Sequence, residues 1–134
     1  MRLVLDASVA VAAARTREPS HRAAQSRVAG LLRGEGELVV PAIFSVEVAA
    51  ALARVHEPAP AIQAYVDALL RTAARIVPLS PAVARRARDT AMRWHLRAAD
   101  ALYVSLAAWE SLPLCTLDRE MSQRGASVCA VIAP

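Results

Sequence analysis

Short apolar runs rich in β-branched residues alternate along this chain with longer stretches whose apolar positions recur every three or four residues. Runs of the first kind suit strands buried on both faces, and stretches of the second kind suit helices with one apolar stripe. Strands are expected near 2–5, 37–40, 75–77, 113–116 and 128–131. Helices are expected at 7–14, 20–33 with Ser20 as its cap, 42–55, 59–73, 81–94, 97–110 and, as a short one, about 119–124. Pro19, Pro41, Pro58, Pro78, Pro81 and Pro113 all fall at junctions, where a missing N–H costs least. The alternation predicts an α/β fold in which a central parallel sheet of about five strands carries helices on both faces. Right-handed crossovers then bring the strands' carboxyl ends to one edge, where α/β proteins bind their ligands.

Composition narrows the picture. The 134 residues suffice for one domain with a real core, and no linker divides them. Although 56% of the residues are hydrophobic, many are alanine. No apolar run approaches the roughly 20 residues needed to cross a bilayer. The run starting at Leu3 meets Asp6 before a signal-peptide core could form, so no membrane partner and a cytoplasmic location are expected. Cys115 and Cys129, each in an apolar segment and without C-x-x-C spacing, read as buried hydrophobes.

The net charge of +4 rests on sixteen arginines, and the chain contains neither lysine nor asparagine. A GC-rich genome accounts for that bias, so it is weak evidence for a nucleic-acid partner, though compatible with one. Absence of lysine is the sharper observation. It excludes a Walker phosphate loop, and it argues against phosphate-receiving regulators and haloacid dehalogenase-like phosphatases. The latter also want an acid where Ser8 stands.

Candidate chemistry begins with "RLVLDASVAV", where an apolar run ends in Asp6 and resumes as a helix-prone segment. Asp6 is either a helix cap or a ligand at a strand's carboxyl end. Asp118, in "LPLCTLDREM", poses the same alternative. Glu47 is the sole acid of its helix, with Ile43, Ala50 and Ala51 on its face. A mid-helix acid caps nothing, and an isolated charge on an apolar face costs several kcal/mol without compensation. Asp100 shares its face with Tyr103, Val104 and Ala107, and its structural alternative is a favourable first-turn charge. Jointly these acids can project to one sheet edge, where like charges repel unless a cation intervenes. Oxygen-only ligands favour Mg²⁺, with Mn²⁺ as the other choice, over Zn²⁺.

"LVLDASV", Glu47 after "PAIFSVE", "RAADALYVSLA" and "LCTLDREM", in that order over essentially the full chain, resemble the PIN-domain nucleases, and the small size resembles the VapC-type toxins of bacterial toxin–antitoxin pairs. The resemblance implies a three-layer α/β/α sandwich. It places Asp6, Glu47, Asp100 and Asp118 in a metal-holding, catalytic quartet, with Ser8 and Thr116 as hydroxyls orienting carboxylates or water. It implies metal-dependent hydrolysis of RNA to a 5′-phosphate and a 3′-hydroxyl, with Asp100 or Asp118 accepting the proton of the attacking water. A homodimer is also implied, as is an antitoxin whose tail covers the acidic groove.

Arg97, one turn before Asp100, is the candidate for an RNA-phosphate contact or for pairing with the acids. Arg85, Arg86, Arg88 and Arg93 wrap around their helix and read as a solvated surface, and Glu120 as a solvated first-turn charge. His21, His56 and His95 lack paired spacing and read as surface residues. Trp94 and Trp109 are expected as core or interface anchors. On 59–73, Ile62, Tyr65, Val66, Leu69 and Leu70 form a stripe that suits a core, dimer or antitoxin surface. Two rival functions remain open: a PIN-like module that binds RNA or protein without cutting, and a metal-dependent nuclease acting on DNA.

Overall fold

The computed structural model describes residues 1–134. Its elements run β1 (Arg2–Leu5), α1 (Ala7–Ala14), α2 (His21–Leu32), β2 (Glu37–Pro41), α3 (Ile43–Arg54), α4 (Ala59–Arg71), β3 (Ala73–Val77), α5 (Pro81–Trp94), α6 (Ala98–Glu110), β4 (Leu114–Cys115), α7 (Arg119–Gly125) and β5 (Val131–Ile132). The strands form one sheet in the order β3-β2-β1-β4-β5, and every pairing is parallel. Helices α1 to α4 pack on one another as one layer, while α5, α6 and α7 form another, with α6 laid against β1, β2 and β4. The result is the α/β/α sandwich expected from the alternation of runs.

The strand order has a functional consequence. From β1 the chain moves outward to β2 and β3, then returns to place β4 on the other side of β1. The crevice at such a reversal, beyond the carboxyl ends of two neighbouring strands, is where open parallel sheets bind ligands. Leu5 pairs with Cys115, so Asp6 and Thr116 leave the sheet side by side.

The core explains the apolar runs. Leu3, Val4, Leu5, Leu38, Val39 and Val40 are buried between the layers, with Phe44, Val48, Leu69, Tyr103 and Val104 packed on them from the helices. On α4 the stripe is core: Val66 and Leu69 are buried and Ile62, Tyr65 and Leu70 pack against the cluster. Tyr65 donates its hydroxyl to the Ala10 carbonyl at 2.6 Å. Cys115 is buried, Cys129 is half-buried, both are free, and burial pushes each thiol up to about 11. No helix is long and apolar enough to cross a membrane.

Several expectations need correction. The last strand lies at Val131–Ile132 rather than 128–131, because the N–H groups of Val128 and Cys129 donate to the Gly125 carbonyl and close the end of α7. Ser20 precedes α2, but its near-helical backbone (φ −92°, ψ 11°) leaves its side chain without a capping bond. The extended backbone of Ser80 (ψ 164°) does let its hydroxyl accept from Val83 N–H, at 3.2 Å. Helix 59–73 ends at Arg71, and β3 takes up its last residue, Ala73. Trp109 is not a core anchor: it is 62% exposed, with the Arg86 guanidinium 3.9 Å above its ring.

Candidate active site

Asp6 follows β1 directly and is 5% exposed. It stands at the N-cap position of α1, where its carboxylate makes no capping hydrogen bond of good geometry, although the Ser8 N–H lies near enough to lower its pKa. Instead Oδ2 accepts from Ser8 Oγ at 2.5 Å and from Thr116 Oγ1 at 2.8 Å, and neither hydroxyl bonds Oδ1. Each hydroxyl is itself fixed by a backbone donor, Ser8 Oγ by Leu117 N–H at 3.1 Å and Thr116 Oγ1 by Asp118 N–H at 3.0 Å. This small network ties the end of β1 to the end of β4. Burial holds the Asp6 carboxyl above the usual carboxylate range, against the lowering effect of the two hydroxyls.

Glu47 projects from the middle of α3. Its Oε1 accepts from the Tyr103 hydroxyl at 2.6 Å, so the carboxylate that looked uncompensated in sequence has a donor from α6. Tyr103 is fully buried, and burial, followed by the hydrogen bond to Glu47 and then by its charge, pushes the hydroxyl far above its ordinary value. Glu47 is raised mainly by burial, with Asp6 and Asp100 adding repulsion.

Asp100 lies in the first turn of α6 and is 8% exposed. Burial raises its pKa while Arg97 opposes the rise. Asp118 is a true cap, its Oδ1 accepting from Met121 N–H at 2.7 Å at the start of α7. Arg97 links these last two acids: Nε donates to Asp100 Oδ2 and Nη2 to Asp118 Oδ2, each at 3.0 Å. Of its two expected roles, pairing with the acids is the one the geometry displays.

Asp6, Ser8, Glu18, Glu47, Arg97, Asp100 and Asp118 all line one open cavity of about 510 Å³. The donor set is entirely oxygen, which suits a hard divalent ion, and Glu47 Oε2 and Asp100 Oδ1 have no hydrogen-bond partner. As the side chains stand, no three of them are close enough to share one ion. The chemistry of the donors therefore fits such an ion, while the spacing requires a side-chain adjustment.

Tyr103 is the site residue whose contact was not foreseen. The signal was present, since a buried tyrosine needs a partner for its hydroxyl and Tyr103 sits three residues after Asp100. Thr116 emerges buried at 5% exposure. Of the remaining candidates, Arg85, Arg88 and Arg93 are exposed, as are His56 and His95, and Glu120 pairs with Arg124 at 2.8 Å.

The PIN domain family model matches residues 3–126. No curated protein matches the chain. Among solved structures, VapC20 of Mycobacterium tuberculosis, described as a Sarcin-Ricin loop cleaving toxin, superposes with a TM-score of 0.74 at 16% identity over 92% of this chain and 95% of that one. VapBC2 of Rickettsia felis, bound to a DNA fragment from its promoter, gives 0.70 at 15% identity over 100% and 99%. FitAcB of Neisseria gonorrhoeae gives 0.66 at 21% identity over 98% and 96%. At these identities the structures testify to the fold, whereas the family model matches nearly the full sequence and spans every acid of the cavity, so the chain belongs to the PIN-domain family.

Proposed function

We propose that this protein is a divalent-metal-dependent endoribonuclease, the toxin of a toxin–antitoxin pair. The observation that carries the reading is the meeting of Asp6, Glu47, Asp100 and Asp118, which lie far apart in sequence, around one cavity at the reversal point of the sheet. Four like charges in one partly buried place are costly without a cation. A bound Mg²⁺ or Mn²⁺ would lower the pKa of water and offset charge on phosphodiester oxygens.

In this reading the four carboxylates hold the ion, and Ser8 and Thr116 fix the rotamer of Asp6. Asp100 is the better proton acceptor for the attacking water, since burial raises its pKa and Oδ1 has no partner. Asp118 is occupied as a helix cap. Arg97 supplies the nearest cation for a phosphate of the RNA. In-line attack at phosphorus, with the bond to the 3′ oxygen breaking, leaves a 5′-phosphate and a 3′-hydroxyl.

The antitoxin would cover the acidic cavity. Supporting this, an apolar groove of about 720 Å³ lies between α3 and α4, lined by Val46, Ala49, Ala50, Ala53 and Ile62. Residues of α3 line both the groove and the acidic cavity, so one partner segment could cover both. A homodimer in the cytoplasm belongs to the same reading, and light scattering on the purified protein checks the dimer.

The deciding experiment compares cleavage of matched RNA and DNA oligonucleotides by antitoxin-free protein, with Mg²⁺ and with chelator. Cleavage of RNA that chelator abolishes is expected. Preferential cleavage of DNA would reassign the substrate, and cleavage of neither would make this a binding module.

A further inference from the structure

The turn between α5 and α6 delivers a cation into the acidic cavity from a fixed base. His95 ends α5 in the left-handed region (φ 53°), and its carbonyl accepts from Arg124 Nη1. Leu96 buries its side chain and donates its N–H to the Ala91 carbonyl at 3.2 Å. The Arg97 carbonyl accepts from Ala101 N–H at 2.9 Å. The backbone of Arg97 is thus held on both sides, while its side chain is 65% exposed.

From that base the guanidinium spans Asp100 and Asp118, one bond of 3.0 Å to each. Since Met121 N–H holds Asp118 Oδ1, both oxygens of Asp118 are engaged. In this arrangement no three acids can share an ion.

We propose, resting on the metal-dependent reading above, that Arg97 is the internal counter-ion of the site: it neutralises Asp100 and Asp118 in the metal-free protein, and a divalent ion enters by displacing it. The exchange favours the ion, which brings two charges where the guanidinium brings one. The Arg97 end of both bridges is 65% exposed, so the guanidinium can leave into water without any movement of the backbone. Arg97 thereby sets the ion concentration at which the carboxylates assemble. Its bridge also keeps Asp100 and Asp118 from repelling one another into solvent before the ion arrives.

The test is binding of Mn²⁺ alone, followed by loss of the free-ion paramagnetic resonance signal, for wild type, Arg97→Gln and Arg119→Gln. Arg119 adjoins Asp118 but makes no ion pair, so its variant removes an equal charge without touching the bridge. Arg97→Gln should bind Mn²⁺ tighter by roughly three- to tenfold, the worth of two ion pairs open to water at their Arg97 end, and Arg119→Gln should shift by less than about twofold. Equal gains in both variants, or no gain in Arg97→Gln, would overturn the proposal while leaving the metal site standing. No Mn²⁺ binding by wild type or either variant would overturn the metal site itself and the proposal with it. On the wild-type protein, the Arg97 Nε–H resonance, assigned by its absence in Arg97→Lys, should move to the position of a free arginine as Mg²⁺ is added. A resonance unmoved at saturating Mg²⁺ would also reject displacement.

Discussion

Asp6 shows how one carboxylate can look like a cap and be something else. An aspartate at a strand–helix junction ordinarily turns back to free N–H groups of the helix, but here two hydroxyls from Ser8 and Thr116 claim Oδ2 first. Asp6→Asn keeps an acceptor for both hydroxyls and removes one of the repelling charges. If these carboxylates hold the ion as proposed, cleavage by Asp6→Asn or Asp100→Asn should fall by at least about 100-fold, because losing a ligand costs no less than losing a supporting contact. Their melting temperatures in chelator should equal or exceed the wild-type value, since burial makes each of these charges unfavourable in the folded chain. Full activity in both variants would remove these residues from the site. Thr116→Val is the complementary substitution, isosteric but without the hydroxyl. It should lower activity roughly 10–100-fold and cost about 1–3 kcal/mol, because Asp6 loses a donor in a buried place. Tyr103→Phe should likewise leave the fold intact and weaken Mn²⁺ binding, as Glu47 loses the bond that sets its rotamer.

Elements were legible where hydrophobic period and length agreed, which covers β1, β2 and all the helices to within two residues. The reading failed where a boundary depends on backbone angle rather than on residue type. Ser20 and Ser80 are the same residue before comparable apolar patterns, yet the extended backbone of Ser80 lets its hydroxyl reach Val83 N–H and the near-helical Ser20 does not. Ser80→Ala should therefore destabilise the protein by about 1 kcal/mol, whereas Ser20→Ala should stay within about 0.5 kcal/mol. Chemical denaturation of the two variants checks the contrast. The last strand was misplaced for a related reason: "SVCAVIA" is apolar throughout, and nothing in its composition says that the Gly125 carbonyl captures Val128 and Cys129. The acids were legible because a charge inside an apolar pattern stands out. Of their partners, Arg97 is legible from its spacing to Asp100, and Ser8 and Thr116 through the family resemblance, whereas the Tyr103–Glu47 bond joins α6 to α3 and no spacing along the chain reveals which hydroxyl faces which carboxylate.

At the scale of the whole molecule, the carboxylates of the cavity make stability depend on pH. Asp6, Glu47 and Asp100 all bind a proton more tightly in the folded chain than at their ordinary values of 3.8, 4.5 and 3.8, with burial the leading cause for each. Between the raised folded value and the ordinary unfolded one, the folded state carries more protons than the unfolded state. Stability must then rise as pH falls through the folded values, and this gain is complete once the unfolded values are passed. Metal-free protein should accordingly melt at higher temperature at mildly acidic pH than at neutral pH, opposite to the behaviour of a protein held by paired carboxylates. In the metal-dependent reading proposed above, a divalent ion inverts the sign. The ion would bind the deprotonated carboxylates of the folded chain alone, so at neutral pH saturating Mg²⁺ should raise the melting temperature, by the equivalent of about 2.7 kcal/mol at 100 times the dissociation constant. As pH falls, protons compete for the same oxygens and the increment shrinks. Melting curves with chelator and with Mg²⁺ should therefore converge on acidification, the first rising and the second falling. Parallel curves would mean that these carboxylates are not where the ion binds.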